Sequence, residues 1–155
     1  MRQGGLAATL LLLLPWGATA SAGEAELIEL IRSAATEIGL VQKSQGNDGA
    51  IIAIADCYEK ASQPNATVED AEKCATQDWL ISQLAIAFFT RLGPEGKENY
   101  SYKVAIGYQD RIATLLLHDK GVYDEQLHEF VRLLKLHAVP AFAKAKYGCE
   151  DPPCQ

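Results

Sequence analysis

Residues 67–92, TVEDAEKCATQDWLISQLAIAFFTRL, decide the fold of this chain. Their spacing predicts one long helix, and from Trp79 to Leu92 its only charged residue is Arg91. A helix that is apolar on nearly all sides is normally surrounded by several neighbours. We therefore expect this helix to form the centre of the core.

The ends of this central helix carry clear signals. Thr67 is a favourable N-cap residue, and Asp70 three residues later suits the positive end of the helix dipole. Gly93-Pro94 then ends the helical pattern.

The chain on either side of it also has helical spacing, and it shows no convincing alternation typical of strands. Apolar stripes predict four further helices: from Leu27 to Val41, from Ile51 to Ala61, from Val104 to Leu116, and from near Asp124 towards Gly148. Two polar segments separate them: Ser44 to Gly49 and Glu95 to Ser101. The sequence thus predicts an all-α, disulfide-stapled bundle of four to five helices.

The N-terminus has the pattern of a cleaved secretory signal peptide. Arg2 precedes an apolar stretch from Leu6 to Trp16, and small residues then make Ala20 and Ala22 suitable cleavage positions. No apolar run reaches the roughly 20 residues that span a bilayer. We expect a signal peptide over residues 1–22, a helical domain over 23–148 and a short cystine-closed tail over 149–155.

Four cysteines lie in the predicted exported part, which favours two disulfides in an oxidising compartment. We expect the pairs Cys57–Cys74 and Cys149–Cys154. The first closes a long loop and is worth about 3 kcal/mol on the loop-entropy model. The spacing of these cysteines does not match the paired CxxC or Cys/His pattern of a zinc site.

A few polar and aromatic residues are candidates for a ligand or polar site. Asp78 and Asp110 stand among apolar residues, and Arg111 offers an ion-pair partner. Trp79 adjoins Asp78 at the start of the apolar stretch, and His118 is followed by an aspartate at a predicted helix end. Buried ion pairs that fix helix register explain such a pattern at least as well as catalysis. No catalytic, cofactor or metal motif is recognised.

Composition limits the functional classes. The formal net charge is −6, which disfavours a protein that binds nucleic acid by neutralising phosphates. We expect an exported, periplasmic, non-enzymatic protein that acts by binding an envelope partner, in the manner of an inhibitor or chaperone. Two alternatives remain: a carrier of a small apolar ligand or lipid in a bundle cavity, and an enzyme that uses Asp78, Asp110 or His118.

Overall fold

The computed structural model describes residues 22–149, and within this range all regular structure is helical. The elements are α1 (Ala22–Ala61), α2 (Val68–Arg91), α3 (Pro94–Glu98), α4 (Tyr100–Ile106), α5 (Tyr108–Ala113), a π-helical segment (Thr114–Asp119) and α6 (Asp124–Tyr147). The all-α class and the Cys57–Cys74 disulfide are confirmed. The predicted signal peptide and the predicted partner of Cys149 fall outside the described residues.

α1 is divided at Gly46, whose φ of 72° and ψ of −163° are not helical. Glycine adopts this positive φ without the steric penalty of a Cβ atom. We call residues 22–45 the first arm of α1 and residues 47–61 the second arm. The break confirms the predicted interruption between the first two helices and locates it at one residue.

The two arms of α1 both lie against the same turn of α2. Glu37 in the first arm forms an ion pair with Lys73 at 2.6 Å, and Cys57 in the second arm is bonded to Cys74. A straight helix would separate residues 37 and 57 by about 30 Å. The arms therefore fold back towards each other at Gly46, so that α1 packs as two helices.

α2 begins as the sequence predicts. The Thr67 hydroxyl accepts a hydrogen bond from the Asp70 N–H at 3.1 Å, and the Thr67 N–H donates to the Asp70 carboxylate at 2.8 Å. These bonds complete a capping box, and the bond from the Thr67 backbone lowers the pKa of the Asp70 carboxyl.

The central position of α2 is confirmed for its first half only. The side chains from Cys74 to Ser82 are buried, whereas Phe88 is 59% and Leu92 54% exposed. The expectation of a helix at the centre of the core is wrong for these last turns. The short helices α3 and α4, which follow α2 in the chain, also pack against it.

The segment that we expected to be a polar loop contains helix. Pro94 occupies the first turn of α3, where its missing N–H has no partner to lose. Asn99 then caps α4, since its side-chain oxygen accepts a hydrogen bond from the Ser101 N–H at 2.9 Å. The predicted helix from Val104 to Leu116 is in turn divided at Gly107 into α4 and α5.

α6 closes the domain against the first arm of α1. It starts at Asp124 as predicted and runs through Pro140 to a left-handed Gly148 with φ of 82°. The two helices approach closely at Gly39, where an added Cβ atom would lie 3.0 Å from the Phe142 carbonyl oxygen. None of the helices in residues 22–149 is long and apolar enough to cross a membrane.

Candidate functional site

A buried carboxylate on α2 is the centre of the candidate site. Asp78 accepts hydrogen bonds from the Tyr58 hydroxyl at 2.9 Å and from the Ser82 hydroxyl at 2.9 Å. Arg111 donates two more, from Nε at 2.9 Å and from Nη2 at 2.8 Å. We call these four residues the Asp78 cluster.

Local structure explains how the Asp78 cluster is assembled. Ser82 follows Asp78 by one helical turn, so the two side chains lie on the same face of α2. Tyr58 is held nearby because the adjacent Cys57 is bonded to Cys74, one turn before Asp78. Arg111 comes from α5, so the cluster joins three helices.

The same arginine also fixes α4. Arg111 Nη1 donates to the Val104 carbonyl at 2.7 Å, close to the end of that helix. The Gly107 N–H also donates to this carbonyl, at 3.2 Å, so the guanidinium adds a second hydrogen bond at the end of α4. Arg111 thereby connects α4 to the buried carboxylate of α2.

The cluster is electrically neutral and its carboxylate is saturated with donors. Burial and the charge of Asp78 raise the pKa of the Tyr58 hydroxyl far above its usual range. The hydrogen bonds to Asp78 raise the pKa of Arg111. Tyr58 therefore stays a neutral donor and Arg111 stays charged, and each carboxylate oxygen of Asp78 already accepts two bonds.

A groove of about 440 Å³ opens beside the Asp78 cluster. All four residues of the cluster border it, and Tyr100 and Ser101 line it from α4. The remaining lining is apolar and comes from the second arm of α1, from α2 and from α4: Ile51, Ile54, Ala55, Ile81, Ala85, Val104 and Ala105. We call this depression the α1–α2–α4 groove.

Apolar surface continues from this groove along α2. Ile81, Ala85, Phe88 and Leu92 follow one another by four, three and four residues, which places them on one face of the helix. The first two line the groove, and the last two are exposed beyond it. Contiguous exposed apolar surface of this kind marks an interaction site more often than scattered exposed residues do.

The structure brings together two of the five predicted site residues, Asp78 and Arg111. Trp79 is buried and faces a different depression, which it shares with Tyr108. Asp110 is exposed, because it points about 100° around the helix from its neighbour Arg111, which belongs to the cluster. His118 is 85% exposed at its side chain and lies 2.9 Å from the Asp119 carboxylate, away from the Asp78 cluster.

Sequence reasoning missed Tyr58 and Ser82. The spacing of Ser82 from Asp78 was a usable signal, because residues four apart on a helix are neighbours. The disulfide pairing was a second signal, since it places Tyr58 within about one turn of Asp78. Within residues 22–149 no group of three His, Cys, Asp or Glu side chains is arranged to hold a metal ion.

The fold and the site define a disulfide-stapled helical protein with an apolar groove beside a neutral polar cluster. Comparison with models of protein families, with curated proteins and with solved structures finds no match.

Proposed function

We propose that this chain is an exported binding protein without catalytic activity, and that it holds an apolar part of a partner in the α1–α2–α4 groove. The observation that carries this proposal is an open, mainly apolar groove lying against a polar cluster whose hydrogen bonds are internally satisfied. Such a surface gains free energy by burying apolar area, at roughly 25 cal/mol for each Å² removed from water.

The state of the polar residues favours binding over catalysis. A general base needs a free lone pair within hydrogen-bond reach of its substrate. The Asp78 oxygens are already occupied by four donors. Asp110 and His118, the other candidates, are exposed outside the groove and do not line it.

Two features support export. The apolar stretch from Leu6 to Trp16, followed by small residues, is typical of a signal peptide. The Cys57–Cys74 disulfide is compatible with an extracellular or periplasmic protein, because such bonds persist in oxidising compartments. We propose the periplasm or the extracellular medium as the site of action.

A matched pair of valines tests the groove. Val104 lines it and is 45% exposed, whereas Val139 on α6 is 43% exposed and borders none of the described cavities. The probe is N-phenyl-1-naphthylamine, an uncharged apolar dye whose fluorescence rises in apolar sites. We expect Val104→Lys to weaken its binding at least tenfold and Val139→Lys to leave it within twofold. Equal dye affinities in the two variants would overturn the proposal.

The cavity volume favours one second candidate, a carrier of a small apolar ligand or lipid. About 440 Å³ lies within the usual range for small-molecule pockets, roughly 300–1,000 Å³. Native mass spectrometry of protein purified from its own host distinguishes the two. A carrier retains a discrete added mass that Val104→Lys abolishes, whereas a protein-binding chain does not.

A further inference from the structure

We infer that the occupant of the α1–α2–α4 groove is an amphipathic helix of a partner protein, with an apolar face and basic residues along one flank. This inference rests on the proposed function, since it names the partner of the same groove. The shape of the groove, its extension along α2 and the charges at its rim support this occupant.

The groove is bordered by helices on both sides. The second arm of α1 forms one wall, α4 forms the other, and α2 runs between them. A helix is the natural element to pack into such a space, because its side-chain ridges fit grooves between the ridges of neighbouring helices. Recognition of an amphipathic helix by an apolar groove is a recurring mode of peptide binding.

The length of the apolar surface favours a helix over a small ligand. Exposed Phe88 and Leu92 extend the line of Ile81 and Ala85 beyond the groove itself. From Ile81 to Leu92 this line runs for about 16 Å at 1.5 Å per residue. A partner helix of three or more turns covers the whole line. A ligand confined to the groove leaves Phe88 and Leu92 in water.

Charges on the α1 rim specify the flank of that helix. Asp48, Ile52, Ala55 and Glu59 follow one another by four, three and four residues, so they form one edge of the second arm beside the groove. Asp48 and Glu59 are exposed, and neither carboxylate forms an ion pair with any residue in the described range. Two basic side chains eleven positions apart on a partner helix would match them.

The charges around the groove argue against a fatty acid and against a membrane surface as its occupant. The groove offers no unpaired cation for a fatty-acid carboxylate at Arg111 or Lys103, because Asp78 neutralises the first and Glu98 pairs with the second at 2.8 Å. An anionic membrane surface attracts basic segments, and it would repel the carboxylates of Asp48 and Glu59 at this rim.

The experiment uses two fluorescein-labelled 18-residue helical peptides with the same leucine face. One carries lysines eleven positions apart on its flank, and the other carries glutamates there. By fluorescence anisotropy we expect the full chain to bind the basic peptide at least tenfold more tightly at low salt. At 1 M salt the difference should shrink to within about twofold, since screening then acts over about 3 Å.

Charge variants on one helix provide the matched control. Glu59 lies on the groove edge, whereas Asp56 lies on another side of the second arm and borders a different cavity. Glu59→Lys and Asp56→Lys make the same change in charge. We expect Glu59→Lys to reduce the preference for the basic peptide at least fivefold and Asp56→Lys to leave it within twofold. Equal effects would show a general attraction between opposite net charges and would overturn the inference.

The outcomes separate this inference from the proposed function. Binding of neither peptide by a protein that still binds N-phenyl-1-naphthylamine overturns the partner helix and leaves the apolar groove standing. Preference for phosphatidylcholine vesicles over both peptides also overturns it, in favour of a lipid surface. If the unmodified chain binds neither the dye nor either peptide, both proposals are overturned.

Discussion

Removal of the Arg111 guanidinium tests whether the Asp78 cluster holds the three helices together. Arg111→Met keeps an unbranched side chain of similar reach but leaves the Asp78 carboxylate, only 4% exposed at its side chain, with two neutral donors. Breaking one partner of a buried ion pair costs about 3–5 kcal/mol. Because the Arg111 side chain is itself 35% exposed, we expect a loss near the lower end, about 3 kcal/mol.

The assay is urea unfolding followed by circular dichroism at 222 nm, with the disulfide intact. Arg132→Met is the control, because Arg132 also pairs with carboxylates but on the surface, and it should shift the midpoint little. The double variant Asp78→Leu/Arg111→Met should be more stable than Arg111→Met alone, since no charge is then left buried. A loss below about 1 kcal/mol for Arg111→Met would refute the reasoning.

Three further predictions concern the Cys57–Cys74 disulfide, the Glu72 carboxyl and the break in α1 at Gly46. Replacing both Cys57 and Cys74 by serine should lower the free energy of unfolding by about 3 kcal/mol, measured by urea unfolding against the oxidised chain. Burial, reinforced by the charge of Glu69, raises the pKa of Glu72 from 4.5 to about 7, so the folded state holds this proton more tightly than the unfolded state does. The stability that this proton contributes is present below pH 4.5 and is lost as the pH rises through 7. Glu72→Gln should therefore flatten the decline in thermal midpoint between pH 5 and pH 8, and an unchanged slope would contradict the assignment. Gly46→Ala should destabilise the fold by about 1–3 kcal/mol in urea unfolding, because its φ of 72° and ψ of −163° are nearly restricted to glycine. Gly23→Ala should not destabilise it, since Gly23 meets no neighbour and has no positive φ.

Most of the helical architecture could be predicted because it depends on local signals. The capping box of α2, the glycine after α6 and the glycine-containing break in α1 each concern a few neighbouring residues. The region between α2 and α6 was harder to predict. There Asn99 caps a helix that begins within a segment read as loop, and Gly107 divides what spacing alone presents as one continuous helix.

The candidate site was only half predictable, for a different reason. Asp78 and Arg111 could be proposed because charged residues amid apolar sequence need partners when they are buried. Their actual pairing, 33 residues apart, depends on how α5 lies against α2, which no local pattern specifies. Asp110 and Arg111 are neighbours in the chain, and only Arg111 enters the cluster. Local sequence alone does not specify which of the two does so.

The break at Gly46 connects the fold to the proposed binding surface. If α1 were straight, its two arms could not both lie against the turn of α2 around Lys73 and Cys74. The reversal places Tyr58 at the Asp78 cluster and Ile51 on the groove wall. Beyond the groove, Phe88 of α2 is exposed. One residue with a positive φ thus allows the second arm to form a wall of the groove, beside which apolar surface is exposed. Covering that surface would stabilise the fold of an isolated chain, and the partner helix that we propose would bury it instead.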